Sequence, residues 1–311
     1  MLDIHSLRVF LEAAKYENFT EAGRVLSLTQ PAVSAQIKSL EGYLNVSLFE
    51  RAGRNIRLTK AGQALVPRAE RLLHMAIDVE ESVRATDGRV VGNLVIGASA
   101  SSARYVLSHL IARFKRLYPE VRIAVPIMPE EIVMDKLAQG EYDVGIVHET
   151  APGPDFSTFE MYTDQLVLIA PSTHPWGTGE PIDPHRLSEE SFICQVSDSH
   201  CRQVVSQALN SVGMTPQDLQ IKMEIDSPEA LAAAAEHGLG ISFIPKVVAV
   251  PRLSLGRLAI VPIEGLTITY PVNILHSNKH SISNPLAKFL AFTRMEQSRT
   301  LIDMIAQGHI L

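Results

Sequence analysis

The stretch from Thr29 to Glu41, TQPAVSAQIKSLE, constrains the fold of this chain more than any other. Thr29 can cap a helix here, because threonine accepts hydrogen bonds from a first helical turn and proline is tolerated in that turn. An apolar stripe recurs at helical spacing, at Val33, Ile37, Leu40 and Leu44. The opposite side carries Pro31, Ser34, Ala35 and Lys38, with Gln30 at the tip, and is nearly free of bulky side chains. The pattern predicts a helix with one buried face and one slim polar face.

Such a polar face suits the major groove of DNA. Glutamine pairs with adenine, serine bonds several base edges, and lysine reaches phosphate or guanine. Upstream, an amphipathic stretch over residues 7–14 predicts a helix, and Asn18-Phe19-Thr20 interrupts it. We expect Thr20 to cap a short second helix, with Ser27-Leu28-Thr29 as the connection into the central one. Helix, tight turn and helix form the helix-turn-helix plan, although the central helix alone would also fit a surface helix packed by its stripe.

Two short segments after this unit predict a β-ribbon, over residues 48–51 and 54–59. Arg51, Arg54 and Arg57 fall close together in it. A ribbon beside a helix-turn-helix has the form of a winged helix. Its arginines would contact phosphates or enter a minor groove.

The runs FTEAGRVLSLTQPAVSAQIKSLEGYL and SLFERAGRNIRLTKAG resemble the N-terminal domain of the LysR-type transcriptional regulators. The resemblance covers roughly the first sixty residues, and two departures stand out. Gly23 replaces a usual alanine, which should weaken the second helix by up to about 1 kcal/mol. Asn45 replaces a usual glycine at a position that we expect to be left-handed, which asparagine tolerates. Neither departure threatens the resemblance.

The resemblance implies a fold class and a set of DNA contacts. The fold would be an N-terminal all-α winged helix-turn-helix with a long linker helix, followed by a C-terminal α/β domain of two Rossmann-like lobes resembling periplasmic binding proteins. We expect a DNA-binding domain over 1–58, a linker helix over 59–86, a hinge over 87–92 and an effector-binding domain over 93–311. The expected DNA contacts are Thr20, Gln30, Pro31, Ser34, Lys38, Arg51, Arg54 and Arg57.

Charge and cysteine usage narrow the function classes. The net charge is −6, but residues 1–62 hold eight Lys/Arg against six Asp/Glu, whereas residues 93–311 hold sixteen against twenty-three. The C-terminal part should therefore repel DNA. Two cysteines, Cys194 and Cys201, form no disulfide framework. No signal core and no apolar window of about 18–20 residues stands out, so we expect a cytoplasmic protein without a membrane partner.

The linker carries a heptad seam, at Leu65, Ala69, Leu72, Ala76, Val79 and Val83. A helix of this length spans about 40 Å. It could lie on its own domain, but so narrow a seam favours a partner helix and hence a dimer. Two recognition helices about 34 Å apart would read an imperfect inverted repeat. The resemblance implies a homotetramer built as a dimer of dimers, acting as activator or repressor, and leaves RNA polymerase open as a partner.

From residue 93 strands alternate with helices, which predicts parallel sheets with both faces covered. The length fits two lobes, with crossings near 160–165 and 266–270. Lobe I would comprise 93–163 and 269–295, and lobe II 164–268. Residues 296–311 form an amphipathic tail helix that could dock on lobe I or on a neighbouring molecule.

Ligands of open α/β sheets sit beyond the carboxyl ends of the strands, which selects four loops here. The serine-rich loop 98–102 would cradle an anion at a helix N-terminus, although a serine there also serves as a plain cap. In the other loops Arg202 could clamp an anion or pair with Asp198, and Ser227 is most simply an N-cap. We expect a small anionic effector and no cofactor or metal. The expected contacts are Ser99, Ala100, Ser101, Ser102, Thr150, Ser199, His200, Arg202 and Ser227.

Three other functions compete with that of a DNA-binding regulator controlled by a small effector. HCR at His200–Arg202 resembles the reactive-cysteine site of peroxide-sensing family members, where Cys201 at a helix start would have a lowered pKa. The downstream resolving cysteine of such sensors is missing, however. A transporter's solute-binding protein would lack the DNA-binding head. An enzyme is not expected, since the sequence shows no metal-ligand spacing, no nucleophile elbow and only a fragment of a dinucleotide motif at 238–240.

Overall fold

The structure, a computed structural model, describes residues 2–52, 55–84, 89–148 and 153–308. Two compact units are present, one formed mainly by residues up to Gly92 and one by nearly all residues from Asn93 onward. Within these described ranges, no helix combines the length and the apolar character needed to cross a membrane.

The N-terminal unit is a winged helix-turn-helix followed by one long helix. Asp3, Asn18 and Thr29 cap the first three helices through their side chains, so the expected cap at Thr20 is corrected to Asn18, two residues earlier. Asn45 ends the third helix at φ 54°, and the left-handed conformation predicted for it is confirmed. The elements are α1 (Ile4–Tyr16), α2 (Phe19–Leu26), α3 (Gln30–Leu44), β1 (Phe49–Ala52), β2 (Asn55–Leu58) and α4 (Lys60–Arg84).

The predicted stripe of α3 forms the centre of this unit's core. Val33, Ile37 and Leu40 are buried with Leu7 and Phe10 of α1. Burying side chains of this size is worth about 1.5–3 kcal/mol each, so the stripe fixes which face of α3 remains outside. The outer face is therefore set by the core and does not depend on DNA.

Gly23 has a packing role that the sequence did not reveal. A Cβ placed on it would lie 2.7 Å from the Leu28 carbonyl oxygen, while the Leu28 amide donates to the Gly23 carbonyl at 2.8 Å. The turn between α2 and α3 therefore approaches α2 closely at this position. The expected helix-weakening effect of this glycine is offset by the space that the turn uses.

The start of α4 is anchored against the base of the wing. The Thr59 hydroxyl donates to the Ser47 carbonyl at 2.7 Å and accepts from the Gly62 amide at 3.1 Å. A Cβ on Gly62 would lie 2.2 Å from the Leu48 carbonyl oxygen. Farther along α4 the seam leaves the core, because Leu72 and Val79 are 42% and 58% exposed.

The C-terminal unit alternates strands with helices, as the sequence predicted. Its described part contains nine strands. The strands are β3 (Gly92–Ala98), β4 (Val121–Ala124), β5 (Val144–Val147), β6 (Phe156–Pro171), β7 (Ser191–Cys194), β8 (Gln220–Glu224), β9 (Ser242–Pro245), β10 (Leu258–Val261) and β11 (Ile268–Ser277). The helices are α5 (Ala100–Ser102), α6 (Ser108–Leu117), α7 (Glu130–Gln139), α8 (His200–Ser211), α9 (Pro228–Glu236), α10 (Lys246–Ser254), α11 (Asn284–Thr293) and α12 (Glu296–Ala306). A π-helical turn, Ala103–Leu107, joins α5 to α6.

Two lobes share the long strands β6 and β11. We call the part built on β3, β4 and β5 lobe I, and the part built on β7 to β10 lobe II. Parallel pairing joins β3 to β5 and β7 to β8, whereas β6 and β11 pair antiparallel with each other. The main sheet has the order β10-β6-β11-β5-β3-β4, with β9 also on β6. The pairs β3–β5 and β7–β8 are thus parallel, whereas the pairs that β6 and β11 make with each other and with β5, β9 and β10 are antiparallel.

The tail helix α12 docks on its own chain. Leu301, Ile302 and Ile305 are buried, and the helix contacts β6, α10 and the π-helical turn. The question that the sequence left open is therefore answered in favour of an intramolecular site.

Candidate functional site

The exposed face of α3 carries the side chains expected to read DNA. Gln30, Pro31 and Lys38 are exposed and Ser34 is half-buried, while Thr20 is exposed on α2. The Ser6 hydroxyl donates to Gln36 Oε1 at 3.0 Å and joins α1 to α3. Short side chains at these places let the helix backbone approach a groove closely.

The wing is attached to α3 by one carboxylate. Glu41 Oε1 accepts from the amides of Leu48 and Phe49, at 2.7 and 3.2 Å. This bond holds the start of the wing against the end of α3. Because both elements belong to the same unit, the surface formed by α3 and the wing is positioned by local contacts.

Two arginines of the wing, Arg51 and Arg57, lie within the described residues. In the hairpin register Arg57 pairs with Glu50, and Arg51 pairs with Ile56. Directly paired residues share a face and successive residues alternate, so Arg51 and Arg57 project from opposite faces of the ribbon. Both are exposed, and Arg54 lies outside the described residues. Arg51 and Arg57 are thus diagonal neighbours in the hairpin, as their spacing predicted, but their side chains leave opposite faces.

A cavity of about 390 Å³ lies between the lobes, where several strands end and helices begin. Five of the residues expected to contact an effector line it: Ser99, Ala100, Ser101, Ser199 and His200. The sequence analysis missed most other wall residues, among them Ile127, Met128, Glu130, Glu131, His148, Gln195, Asp226 and Tyr270.

Two polar atoms in the wall are buried without a hydrogen-bond partner in the described part of the chain. They are Ser99 Oγ and Gln195 Oε1. Ser99 occupies the N-cap position of α5, yet its side chain makes no capping bond. Ser199, by contrast, caps α8 by accepting from the Arg202 amide at 3.2 Å. A buried polar group without a partner is costly, so these two atoms mark places where a ligand would supply the missing bonds.

Aromatic rings and one histidine–carboxylate hydrogen bond form the back of the cavity. Tyr270 stacks on His148 with ring centroids 4.0 Å apart and lies 5.7 Å from the His200 ring. Glu130 holds His148 through the ring Nδ1 at 2.5 Å and through the backbone amide at 3.0 Å. The Tyr270 ring and the imidazoles therefore offer flat faces to a bound molecule.

The charge of the wall limits what can bind. Glu130, Glu131, Asp198 and Asp226 line the cavity, and among the described wall residues only His148 and His200 can become cationic. Positive potential comes instead from helix N-termini, since α5, α7, α8 and α9 all begin in or beside this wall. One anionic group can be accommodated near such an end, whereas several would meet the carboxylates.

Four expected contacts are not among the wall residues that the structure describes. Ser102 is buried at 1% exposure behind the wall, and Ser227 caps α9 by accepting from the Ala230 amide at 3.3 Å. Arg202 lies beside Cys194 in a neighbouring, smaller pocket and does not line this cavity. Thr150 lies outside the described residues.

Cys201 lines the cavity but lacks the properties of a reactive thiol. It is 6% exposed, and burial raises its pKa to about 12. Burial also raises the pKa of Cys194. The lowered pKa expected from the neighbouring His and Arg is therefore wrong, because desolvation outweighs their charges.

Asp164 is a buried acid that the sequence gave no reason to single out. It lies on β6 opposite Tyr270 of β11, where the chain crosses between lobes, and it is 3% exposed. Burial raises the pKa of Asp164 to about 6. Hydrogen bonds from the backbone of Gln165 and Val247, and the nearby His148 and Lys246, lower it by less. A group with such a pKa can change charge near neutral pH at the crossing strands.

Two family models match the chain. Residues 4–63 match "Bacterial regulatory helix-turn-helix protein, lysR family", and residues 87–298 match "LysR substrate binding domain". A curated protein named as a probable RuBisCO transcriptional regulator, from Emiliania huxleyi, is 32% identical over 289 residues and covers 92% of each chain.

Solved structures resemble the whole chain. CbnR complexed with its target DNA has a TM-score of 0.71 at 22% identity, over 94% of this chain and 99% of that one. A full-length OxyR variant from Pseudomonas aeruginosa has a TM-score of 0.72 at 23% identity, over 99% and 97%. At these identities the likeness shows the fold alone.

Proposed function

Because the chain belongs to the LysR family of DNA-binding transcriptional regulators, the family that the sequence predicted, we propose that a small metabolite in the interlobe cavity controls its activity. The observation that carries this proposal is the pair of unpartnered polar atoms, Ser99 Oγ and Gln195 Oε1, in the cavity wall. A ligand that donates to Gln195 and bonds Ser99 would remove the cost of burying both.

The effector that this wall fits carries one anionic group. We propose that the anion lies at the start of α5, near the hydroxyls of Ser99 and Ser101 and the free amides there. The carboxylates of Glu131, Asp198 and Asp226 favour hydroxyl or amino groups on the remainder of the molecule. A compact hydroxy acid, amino acid or sugar monophosphate meets these requirements better than a bisphosphate does.

The DNA-contacting surface that we propose comprises the outer face of α3 and the wing. Gln30, Ser34 and Lys38 would reach base edges, while Thr20, Pro31 and Arg51 would contact the backbone beside them. Arg57 would contact phosphate from the other face of the wing, and the same role is proposed for Arg54. Since its partner is DNA, the protein would act in the cytoplasm. The name of the relative from Emiliania huxleyi makes promoters of RuBisCO genes the first DNA to test.

The exposed seam of α4 supports a homodimer. Leu72 and Val79 are large apolar side chains open to solvent on one heptad track, which is the arrangement that a partner helix covers. We propose that two such dimers assemble into a tetramer and that effector binding changes the angle between the lobes. That change would alter the spacing of the DNA-binding heads and the bend of the DNA.

Thermal denaturation of the full chain against a panel of monoanions, dianions and bisphosphates tests the effector proposal. A ligand at a hundred times its Kd stabilises by about 2.7 kcal/mol, which raises the Tm by several degrees. Ser101→Ala should abolish the shift. Ser197→Ala, at an exposed serine outside the wall, should keep it. Stabilisation by bisphosphates alone, or an equal loss in both variants, would contradict the proposal.

Analytical ultracentrifugation tests the seam. Val79→Glu places a charge on the exposed track and should produce monomers at micromolar concentration. Gln63→Glu adds the same charge at an exposed position off the track and should not. A footprint that covers a single unrepeated half-site would count against the dimer on DNA.

A further inference from the structure

One carboxylate in the C-terminal unit is shared by both lobes. Glu229 lies in the first turn of α9 in lobe II, and its Oε1 accepts a hydrogen bond from the Tyr105 hydroxyl of lobe I. Arg104 Nε of lobe I approaches the same oxygen at 3.7 Å. The other oxygen, Oε2, faces Arg252 Nη1 of lobe II at 3.3 Å. Each oxygen of one side chain is thus directed to a different lobe.

The hydrogen bond between Tyr105 and Glu229 is shielded from solvent, and the Tyr105 hydroxyl stays protonated. Tyr105 is 6% exposed, and the Glu229 side chain is 25% exposed. Burial, as the larger cause, and the hydrogen bond to Glu229, as the smaller one, raise the pKa of Tyr105 to about 12. The hydroxyl therefore remains a donor throughout the physiological range, and a hydrogen bond to a charged acceptor is stronger than one between neutral groups.

The bond lies next to the cavity on both sides. Tyr105 belongs to the π-helical turn that follows α5, whose residues Ala100 and Ser101 line the cavity. Pro228, the neighbour of Glu229, lines it from lobe II. A π-helical turn is a rare insertion in a helix, and such turns occur frequently at functional sites. A change at the start of α5 therefore reaches Tyr105 through less than two turns of one helix.

We propose that Tyr105, Arg104 and Glu229 form a clasp that holds the two lobes together at the mouth of the cavity and sets how readily it opens. Breaking the clasp lets the lobes separate on the side of α5 and α9, while β6 and β11 still connect them. Its influence on effector affinity rests on the proposed function, but the clasp itself does not. A molecule that moves α5 would loosen it, and one that draws α9 toward α5 would tighten it.

Hydrogen–deuterium exchange of the full-length protein, without any small molecule, tests the clasp. Tyr105→Phe removes only the donor. We expect the amides of the segments 100–107 and 227–233 to exchange about tenfold faster, the change that corresponds to losing about 1.4 kcal/mol from local opening. Glu229→Ala should accelerate the same two segments.

Glu236→Ala is the matched control. Glu236 lies on the same helix and also binds Arg252, at 3.2 Å, with Arg257 as its second partner at 3.1 Å, so all its contacts stay in lobe II. This variant should leave segment 100–107 unchanged. Two results would overturn the clasp. One is exchange of the two segments at the wild-type rate in Tyr105→Phe, and the other is equal acceleration of segment 100–107 in Glu229→Ala and Glu236→Ala. Neither result would bear on the thermal denaturation experiment that tests the effector. If no ligand stabilised the protein there, the exchange experiment would still test the clasp.

Discussion

The two binding surfaces that we propose for this protein are assembled in opposite ways. The polar face of α3 belongs to fifteen consecutive residues, Gln30–Leu44, and its burial pattern follows directly from helical spacing. The cavity wall takes side chains from segments between Ser99 and Tyr270 that no local pattern connects. Pairing of β6 with β11 and of β3 with β5 brings these segments together.

This difference teaches where sequence reasoning is strong. On α3 the same residues specify the helix, its buried stripe and its outer face. In the cavity, residue type alone misleads. Arg202 is only three residues from the wall serine Ser199 yet does not line the cavity, and Cys201 lines it but is desolvated. The following experiments are arranged to break or sharpen this contrast, from the largest expected effect to the smallest.

Gly62→Ala should destabilise the N-terminal unit and leave the other unit intact. The new Cβ would lie 2.2 Å from a backbone carbonyl, so the start of α4 must move, at a cost of about 3 kcal/mol. Chemical denaturation would be followed by circular dichroism, and by the fluorescence of Trp176, the sole tryptophan, which reports only lobe II. Gly42→Ala, where no atom lies within 4 Å, should instead stabilise slightly. A matching shift of the Trp176 transition in Gly62→Ala would mean that the units unfold together.

Asp164→Asn should change how the stability of the C-terminal unit depends on pH. Folding raises this pKa from 3.8 to about 6, so the folded form holds the proton more tightly. The stability contribution is complete below pH 3.8 and is lost as pH rises through 6, in total about 3 kcal/mol. The variant should therefore exceed wild type at pH 7.5 and lose that advantage near pH 4.5, as measured by Trp176 fluorescence in urea. An equal difference at both pH values would show that Asp164 does not titrate in this range.

Ser34→Ala and Arg57→Ala should weaken DNA binding in different ways. If Ser34 reads a base edge, its loss relaxes discrimination at one operator position by about 1–3 kcal/mol. Loss of Arg57 should weaken all sequences alike and reduce the salt slope by about one. Fluorescence anisotropy with operator and scrambled duplexes at several salt concentrations separates the two. Uniform weakening by Ser34→Ala would remove this residue from base readout.

Cys201 should react more slowly with iodoacetamide at neutral pH than free glutathione does. Burial raises its pKa to about 12, so the thiolate is scarce. Mass spectrometry of the folded chain measures the rate, and the same reaction in urea provides the rate of the exposed thiol. Alkylation of the folded chain faster than glutathione would reopen the redox-sensing alternative.

Most local elements of the N-terminal unit followed from the sequence, and the misses have local causes. Asn18 and Thr20 are both good caps, and only the position at which the backbone turns selected Asn18. The wing arginines were placed together by their spacing, yet the hairpin register puts Arg51 and Arg57 on opposite faces. The register of the hairpin and the residue at which α2 begins cannot be read from the type of any one residue.

In the C-terminal unit the strand-end rule selected loops that border the cavity, but not every side chain expected from them lines it. Ser99, Ser101, Ser199 and His200 line the cavity, while Ser102 and Arg202 turn away from it because helical geometry directs successive side chains to different sides. Asp164 carried no signal at all. Its raised pKa arises from burial where two strands cross, which is a property of the assembled sheet.

By itself the sequence determined the helix-turn-helix, its recognition face, the seam of α4 and the alternation of strands and helices, because each depends on spacing within one segment. Only the tertiary structure decided which atoms meet across the cavity, which thiol is desolvated and which carboxylate joins the lobes. Burial, desolvation and pairing depend on the distance between segments far apart in the chain, and that distance is fixed only when the sheet has formed.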